Sequence, residues 1–176
     1  MEQTDKYLAR KLKEGYTYIT AHTGYEGTPW NSIEHIEAAL SSGAETVEID
    51  IQNDGELLYL SHDPVENPQS RPTLNTCFEM VRPHENVLIN CDVKHFGLVG
   101  PVLALAKSMG VADRIHFTGQ VNNEDAQLLK ESGEISGWWN SVFPSADNYC
   151  RLREAVAYLN GYNRDRIICV EYHMVN

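Results

Sequence analysis

The chain has 176 residues, 42% hydrophobic and 22% charged, with 14 basic against 25 acidic residues. That composition suits a soluble globular domain with a sizeable core and excludes a disordered chain. A formal net charge of −11 speaks against nucleic acid or an anionic membrane as a bulk electrostatic partner, but leaves room for a small anion at a locally cationic or metal-bearing site. No stretch approaches the roughly 18 apolar residues of a membrane span, and residues 1–18 lack the apolar run and cleavage site of a secretory leader. Cys77, Cys91, Cys150 and Cys169 are widely spaced and form no Cys-x-x-Cys pair. A reduced, cytoplasmic protein without disulfides or zinc is expected.

Residues 16–22 read as a strand that runs into a loop carrying Gly24 and Gly27. Asn31-Ser32, with Glu34 behind them, marks a helix start. Ile33, Ile36, Ala39 and Leu40 follow at helical spacing, and Gly43 ends the helix. Residues 46–52 alternate strictly, and Asp54-Gly55 turns them into a second extended run over 56–61. After a loop holding Pro64, Pro68 and Pro72, the pattern predicts a helix over 74–80 and a strand over 87–93. A helix over 99–109, a strand over 114–118 and a helix over 123–131 follow. The last elements are a strand over 135–142, a helix over 148–159 and a strand over 166–171.

Strand and helix thus alternate about six times through short connections, which implies parallel strands joined by crossover helices. With no dividing linker, residues 1–176 are expected to form one domain. A doubly wound sheet and a (β/α)8 barrel share this rhythm. No glycine-rich phosphate fingerprint follows the first strand. The position of the polar residues favours the barrel.

Strands of a parallel sheet are covered on both faces and should be apolar almost throughout. Three strands depart from this near their C-terminal ends. By period two, Thr20 and His22 share one face of the first, Glu48 and Asp50 one face of the second, and Asn90, Asp92 and Lys94 one face of the third. Buried carboxylates need a cation or a dense hydrogen-bond network. Active sites of (β/α)8 barrels lie at that end of the strands. Three carboxylates converging there suit a hard divalent ion, Mg²⁺ or Ca²⁺. His22 ends the first strand and His62 closes the extension after the second, so two imidazoles stand ready to move protons near neutral pH. Lys94 adds a positive charge. A metal, a lysine and two histidines describe phosphate chemistry. The remaining histidines (His35, His84, His95, His116, His173) have no such setting and are read as structural.

In this order, Ala21-His22-Thr23-Gly24, Pro29-Trp30-Asn31-Ser32, Gly43-Ala44, Val47-Glu48-Ile49-Asp50, Asp54-Gly55 and His62-Asp63-Pro64 resemble the glycerophosphodiester phosphodiesterase family. Asn90-Cys91-Asp92-Val93-Lys94 resembles its acidic-x-Lys strand. The ordered match covers roughly the first half of the chain; beyond Lys94 only the rhythm of strands and helices agrees. The resemblance implies a (β/α)8 barrel that hydrolyses glycerophosphodiesters to an alcohol and glycerol phosphate with Mg²⁺ or Ca²⁺. By position, Glu48, Asp50 and Asp92 would be metal ligands, His22 and His62 the general acid/base pair, and Lys94 the holder of a phosphate oxygen. One histidine would help a substrate hydroxyl attack phosphorus, the other would protonate the leaving oxygen, and water would then open a cyclic phosphate.

Three positions depart from the family pattern. Thr23 stands where the family commonly has arginine, Trp30 where it has glutamate, and Asp92 where it commonly has the longer glutamate. Joint loss of Arg and Glu suggests a pair replaced as a unit. A complete barrel usually needs about 250 residues, so an incomplete barrel is expected, with about six strand-helix units and open sheet edges that favour a homo-oligomer. The partner is a small-molecule phosphodiester, with no nucleic acid and no membrane insertion. The rival reading is a catalytically silent family member that binds a phosphorylated ligand or a protein. A metal-dependent aldolase or isomerase barrel is a further alternative, for which no Schiff-base lysine buried in mid-strand or paired metal site is evident.

Overall fold

The computed structural model describes residues 19–122 together with 124, 125 and 128. The expected N-terminal part of the first strand, most of the helix over 123–131, and the elements over 135–142, 148–159 and 166–171 lie outside them. In chain order the elements are β1 (Thr20–Ala21), α1 (Ile33–Ser42), β2 (Thr46–Asn53), β3 (Leu58–Leu60), α2 (Leu74–Val81), β4 (Leu88–Val93), α3 (Val99–Met109) and β5 (Ile115–Gly119).

The local chemistry explains where the helices start and stop. The Ser32 side chain accepts the His35 N–H at 3.1 Å and caps α1, and Gly43, at φ 80°, ends it in the left-handed region. Thr73 caps α2 in the same way, accepting the Thr76 N–H at 3.1 Å. Each helix buries one stripe: Ile36 and Ala39 from α1, Leu74, Cys77, Phe78 and Val81 from α2, Val99, Val102, Leu103 and Ala106 from α3. These residues join Val47, Ile49, Ile51, Ile89, Cys91, Val93, Ile115 and Phe117 of the strands in one apolar core. Each Val, Leu, Ile or Phe among them contributes about 1.5–3 kcal/mol relative to an exposed one.

β1, β2, β4 and β5 are parallel neighbours in that order, while β3 folds back antiparallel on the end of β2, pairing Leu60 with Ile51. The order advances in one direction without reversal. A doubly wound sheet would reverse at its switch point; a sheet that keeps winding one way is the barrel pattern. Among the described residues the expected elements therefore stand, with small shifts at their ends. β5 begins at Ile115 because Ala112–Arg114 form a 3₁₀ turn. There the buried Arg114 guanidinium donates to the carbonyls of Val81, Arg82, His84 and Val87, tying the turn to the end of α2.

Register aligns the polar residues across strands. Glu48 pairs with Asn90, and Asn90 with His116; Asp50 pairs with Asp92, and Asp92 with Thr118. The polar face thus continues onto a fourth strand, beyond the three recognised from sequence.

Candidate functional site

β2 contributes two carboxylates to that face, Glu48 at 2% and Asp50 at 1% exposure, and β4 brings Asp92 beside them. One oxygen from each of the three lies within 4.8 Å of the others. Lys94 reaches back along β4 so that its Nζ sits 2.6 Å from Asp50 Oδ1 and 2.8 Å from Asp92 Oδ2. Sequence alternation places Lys94 on the face of Asp92. Its contact with Asp50 depends on the β2–β4 register.

Crowding of negative charge in a buried place shifts the acids. Burial first, and then the charge of Asp50, hold the Glu48 carboxyl well above the usual range. Burial also raises Asp92, against the pull of Lys94. Burial works against the Lys94 ammonium, but Asp92 and Asp50 outweigh it and hold its pKa above the ordinary lysine value.

The loop between β1 and α1 supplies the second set of contacts. The Thr23 N–H donates to Glu48 Oε2 at 2.8 Å. Asn31 donates from Nδ2 to Asp50 Oδ2 at 2.7 Å and accepts the Asp50 N–H on Oδ1 at 2.9 Å. In the sequence, Asn31 stood as a helix-start signal and a motif residue and Thr23 as a replaced arginine, neither with a role at the carboxylates. An asparagine able to adopt φ 55° just ahead of a helix cap was the available clue. His35 ties α1 to β2, its Nε2 meeting the Glu48 carbonyl at 2.9 Å. A carbonyl only accepts, so Nε2 carries the proton. Burial lowers the His35 pKa and favours that neutral ring.

The two histidines stand at the exposed side of the site. His22, 54% exposed, has Nε2 4.0 Å from Glu48 Oε2. His62, 52% exposed, has Nδ1 3.1 Å from Asp63 Oδ1, and its carbonyl accepts from Gln52 Nε2 of β2 at 2.9 Å. The Trp30 ring approaches His62 edge-on, with centroids 6.1 Å apart. Neither histidine belongs to the carboxylate cluster. His116 is buried, and burial drops its pKa to about 4.

Two features fit this cluster to a divalent cation. Asp92 Oδ1 is buried without a hydrogen-bond partner, and Gly119, at φ 86°, leaves room where a Cβ would run into that oxygen. Two oxygens on one ion lie at most about 4 Å apart for Mg²⁺ and about 5 Å for Ca²⁺, twice the metal–oxygen distance. All-oxygen donors suit either ion.

A parallel sheet wound in one direction, with carboxylates and a lysine gathered toward the strand ends, defines an α/β protein of the (β/α)-barrel type. No family model and no curated protein matches the sequence. Among solved structures, the chain is similar to a glycerophosphodiester phosphodiesterase from Parabacteroides distasonis, at 17% identity and TM-score 0.57, over 83% of this chain and 80% of that one. A glycerophosphodiester phosphodiesterase from Agrobacterium tumefaciens is 18% identical, with TM-score 0.56, over 70% and 66% of the two chains. The glycerophosphoryl diester phosphodiesterase domain of an uncharacterized Mycobacterium tuberculosis protein gives 17%, TM-score 0.53, and 83% and 65%. At such identities the likeness is one of fold. Among the described residues, no helix is long and apolar enough to cross a membrane.

Proposed function

We propose that the chain, as one partial barrel domain over 1–176, is a divalent-cation-dependent phosphodiesterase that hydrolyses glycerophosphodiesters to an alcohol and glycerol phosphate. The observation that carries this reading is the carboxylate cluster of buried Glu48 and Asp50 with partly buried Asp92, closed by Lys94, with one oxygen of Asp92 left unpartnered. The family motifs in the sequence and the phosphodiesterases of like fold support it. Glu48, Asp50 and Asp92 would hold Mg²⁺ or Ca²⁺. When bound, such an ion draws charge from the phosphate oxygens.

The chain's own groups do the rest. Lys94 holds a phosphate oxygen, leaving one of its carboxylate contacts to do so. His22 and His62 divide the proton transfers: one takes the proton of the attacking substrate hydroxyl, the other gives a proton to the departing alcohol oxygen. A cyclic phosphate results, and water opens it with the roles reversed. Both rings are half exposed, as groups that must meet substrate need to be. The compartment proposed for the chain is the reduced cytoplasm, where free thiols such as the buried Cys77 and Cys91 stay unpaired.

One observation favours the silent reading. The Thr23 hydroxyl is turned to the Asn31 N–H at 2.7 Å, so no arginine faces the phosphate from this position. One experiment separates the two. The chain is incubated with glycerophosphodiesters in Mg²⁺ or Ca²⁺ and followed by ³¹P NMR. Glycerol phosphate that forms with metal and stops with chelator supports the hydrolase. Binding of glycerol phosphate without turnover sinks it in favour of the ligand-binding alternative.

A further inference from the structure

The two carboxylates of β2 are held from one loop, and the two holds are joined. The Thr23 N–H is on Glu48 Oε2 and the Asn31 amide on Asp50 Oδ2, and the Asn31 N–H donates to Thr23 Oγ1 at 2.7 Å. Asn31 is fully buried and Thr23 is 5% exposed, so water does not compete for these bonds. The Asn31 amide is used at both ends, its NH₂ on the Asp50 carboxylate and its oxygen on the Asp50 N–H at 2.9 Å. It therefore fixes the side chain of Asp50 against its own backbone. Each bond engages one oxygen of its carboxylate and stops the group from turning. The other oxygen of Asp50, Oδ1, is left pointing at the Lys94 ammonium.

We propose that Thr23 and Asn31 are positioning residues that clamp Glu48 and Asp50 in the arrangement a divalent cation requires before the cation arrives. The inference rests on the hydrolase reading of the same site and assigns the threonine a task of its own where the family pattern has arginine. A carboxylate already held in its binding rotamer loses less freedom on taking up the ion. Partners behind metal ligands typically change affinity by about 10–100-fold when removed.

The test uses the full chain as wild type, Thr23→Val, Thr23→Ser and Asn31→Ala. Each is titrated calorimetrically with Mg²⁺ and separately with Ca²⁺, at a temperature where its own melt shows it folded. Thr23→Val keeps the Thr23 N–H on Glu48 and removes the hydroxyl that anchors the Asn31 N–H, so it should weaken the ion through the loosened Asn31, by less than the roughly tenfold of a lost direct partner, while Thr23→Ser keeps the hydroxyl and should match wild type. Asn31→Ala should weaken it further. If Asn31→Ala does not fold, the valine–serine pair decides alone. Thr23→Val that melts lower but binds the ion as wild type does overturns the clamp and leaves the hydrolase reading standing. A Thr23→Ser variant as weak as Thr23→Val overturns it as well. Wild type that takes up neither ion overturns both.

Discussion

Val47, Ile49 and Ile51 point to one side of β2, and Glu48, Asp50 and Gln52 to the other. The first three are 0% exposed and the second three 2%, 1% and 4%. By burial the two faces are alike. On the first, helices α1–α3 bring apolar side chains into one core, and burial itself is the stabilising event. On the second, burial opposes the charged forms, and the face persists because each carboxylate has found Lys94, an amide or a backbone N–H. One face holds the fold. The other stores a demand for positive charge.

The largest effect that should separate them is on turnover. His22→Ala and His62→Ala are each expected to lower hydrolysis of a glycerophosphodiester by about 10²–10⁴-fold. Affinity for the metal and the melting temperature should stay near wild type, because both rings are half exposed and lie outside the carboxylate cluster. Steady-state rates beside a calorimetric metal titration check this. A histidine variant that keeps wild-type turnover removes that residue from the mechanism.

Ile49→Ala attacks the opposite face, between Glu48 and Asp50 in sequence but with its side chain in the core. Cavity formation should cost about 2–5 kcal/mol, or roughly 5–15 °C in melting temperature for a chain of this size. Added Mg²⁺ or Ca²⁺ should still raise the melt by the wild-type increment. Loss of that increment would show that the faces are not independent.

His116 sharpens the comparison deeper in the polar face. Burial lowers its pKa to about 4, below the ordinary value of about 6.5. The native ring therefore resists a proton that the unfolded chain accepts. The associated stability is fully present above pH 6.5, and is lost progressively as pH falls from there through about 4. The whole span corresponds to about 3 kcal/mol. Denaturant melts of wild type and His116→Asn across that window test the sign. The variant should show the flatter acid limb, and parallel limbs would mean that the ring titrates normally in the fold.

What was legible in the sequence follows the same division. Period-two alternation in Thr46–Asn53 and Leu88–Val93 separated core from polar face, and Ser32 and Gly43 marked the ends of α1, because these signals are local. The acidic cluster was legible because charge on a buried strand is costly enough to require a reason. Asn31 and Thr23 were not, since their partners lie 19 and 25 residues away and no periodicity links a loop to a strand. His116 and Thr118 were read apart from the site, although Ile115-His116-Phe117-Thr118 alternates like the other strands. Only register showed that they share its layers.

The smallest effect concerns the loop that joins the faces. The sequence suggested that an arginine and a glutamate had been exchanged together for Thr23 and Trp30. In the fold, Thr23 is buried with its hydroxyl engaged, whereas Trp30 is 58% exposed and rests its indole against Gly24. Thr23→Arg must bury a guanidinium and strand the Asn31 N–H, a loss of about 1–3 kcal/mol. Trp30→Glu alone removes exposed apolar surface and should be nearly neutral. In the double variant the carboxylate can meet the guanidinium, and if the two positions form a unit, coupling should return about 1 kcal/mol, or roughly 2–4 °C. A double-mutant cycle of melting temperatures measures that difference. Equal melts for Thr23→Arg with and without Trp30→Glu would mean that the two positions changed independently, and that Thr23 is kept for its bond to Asn31 alone.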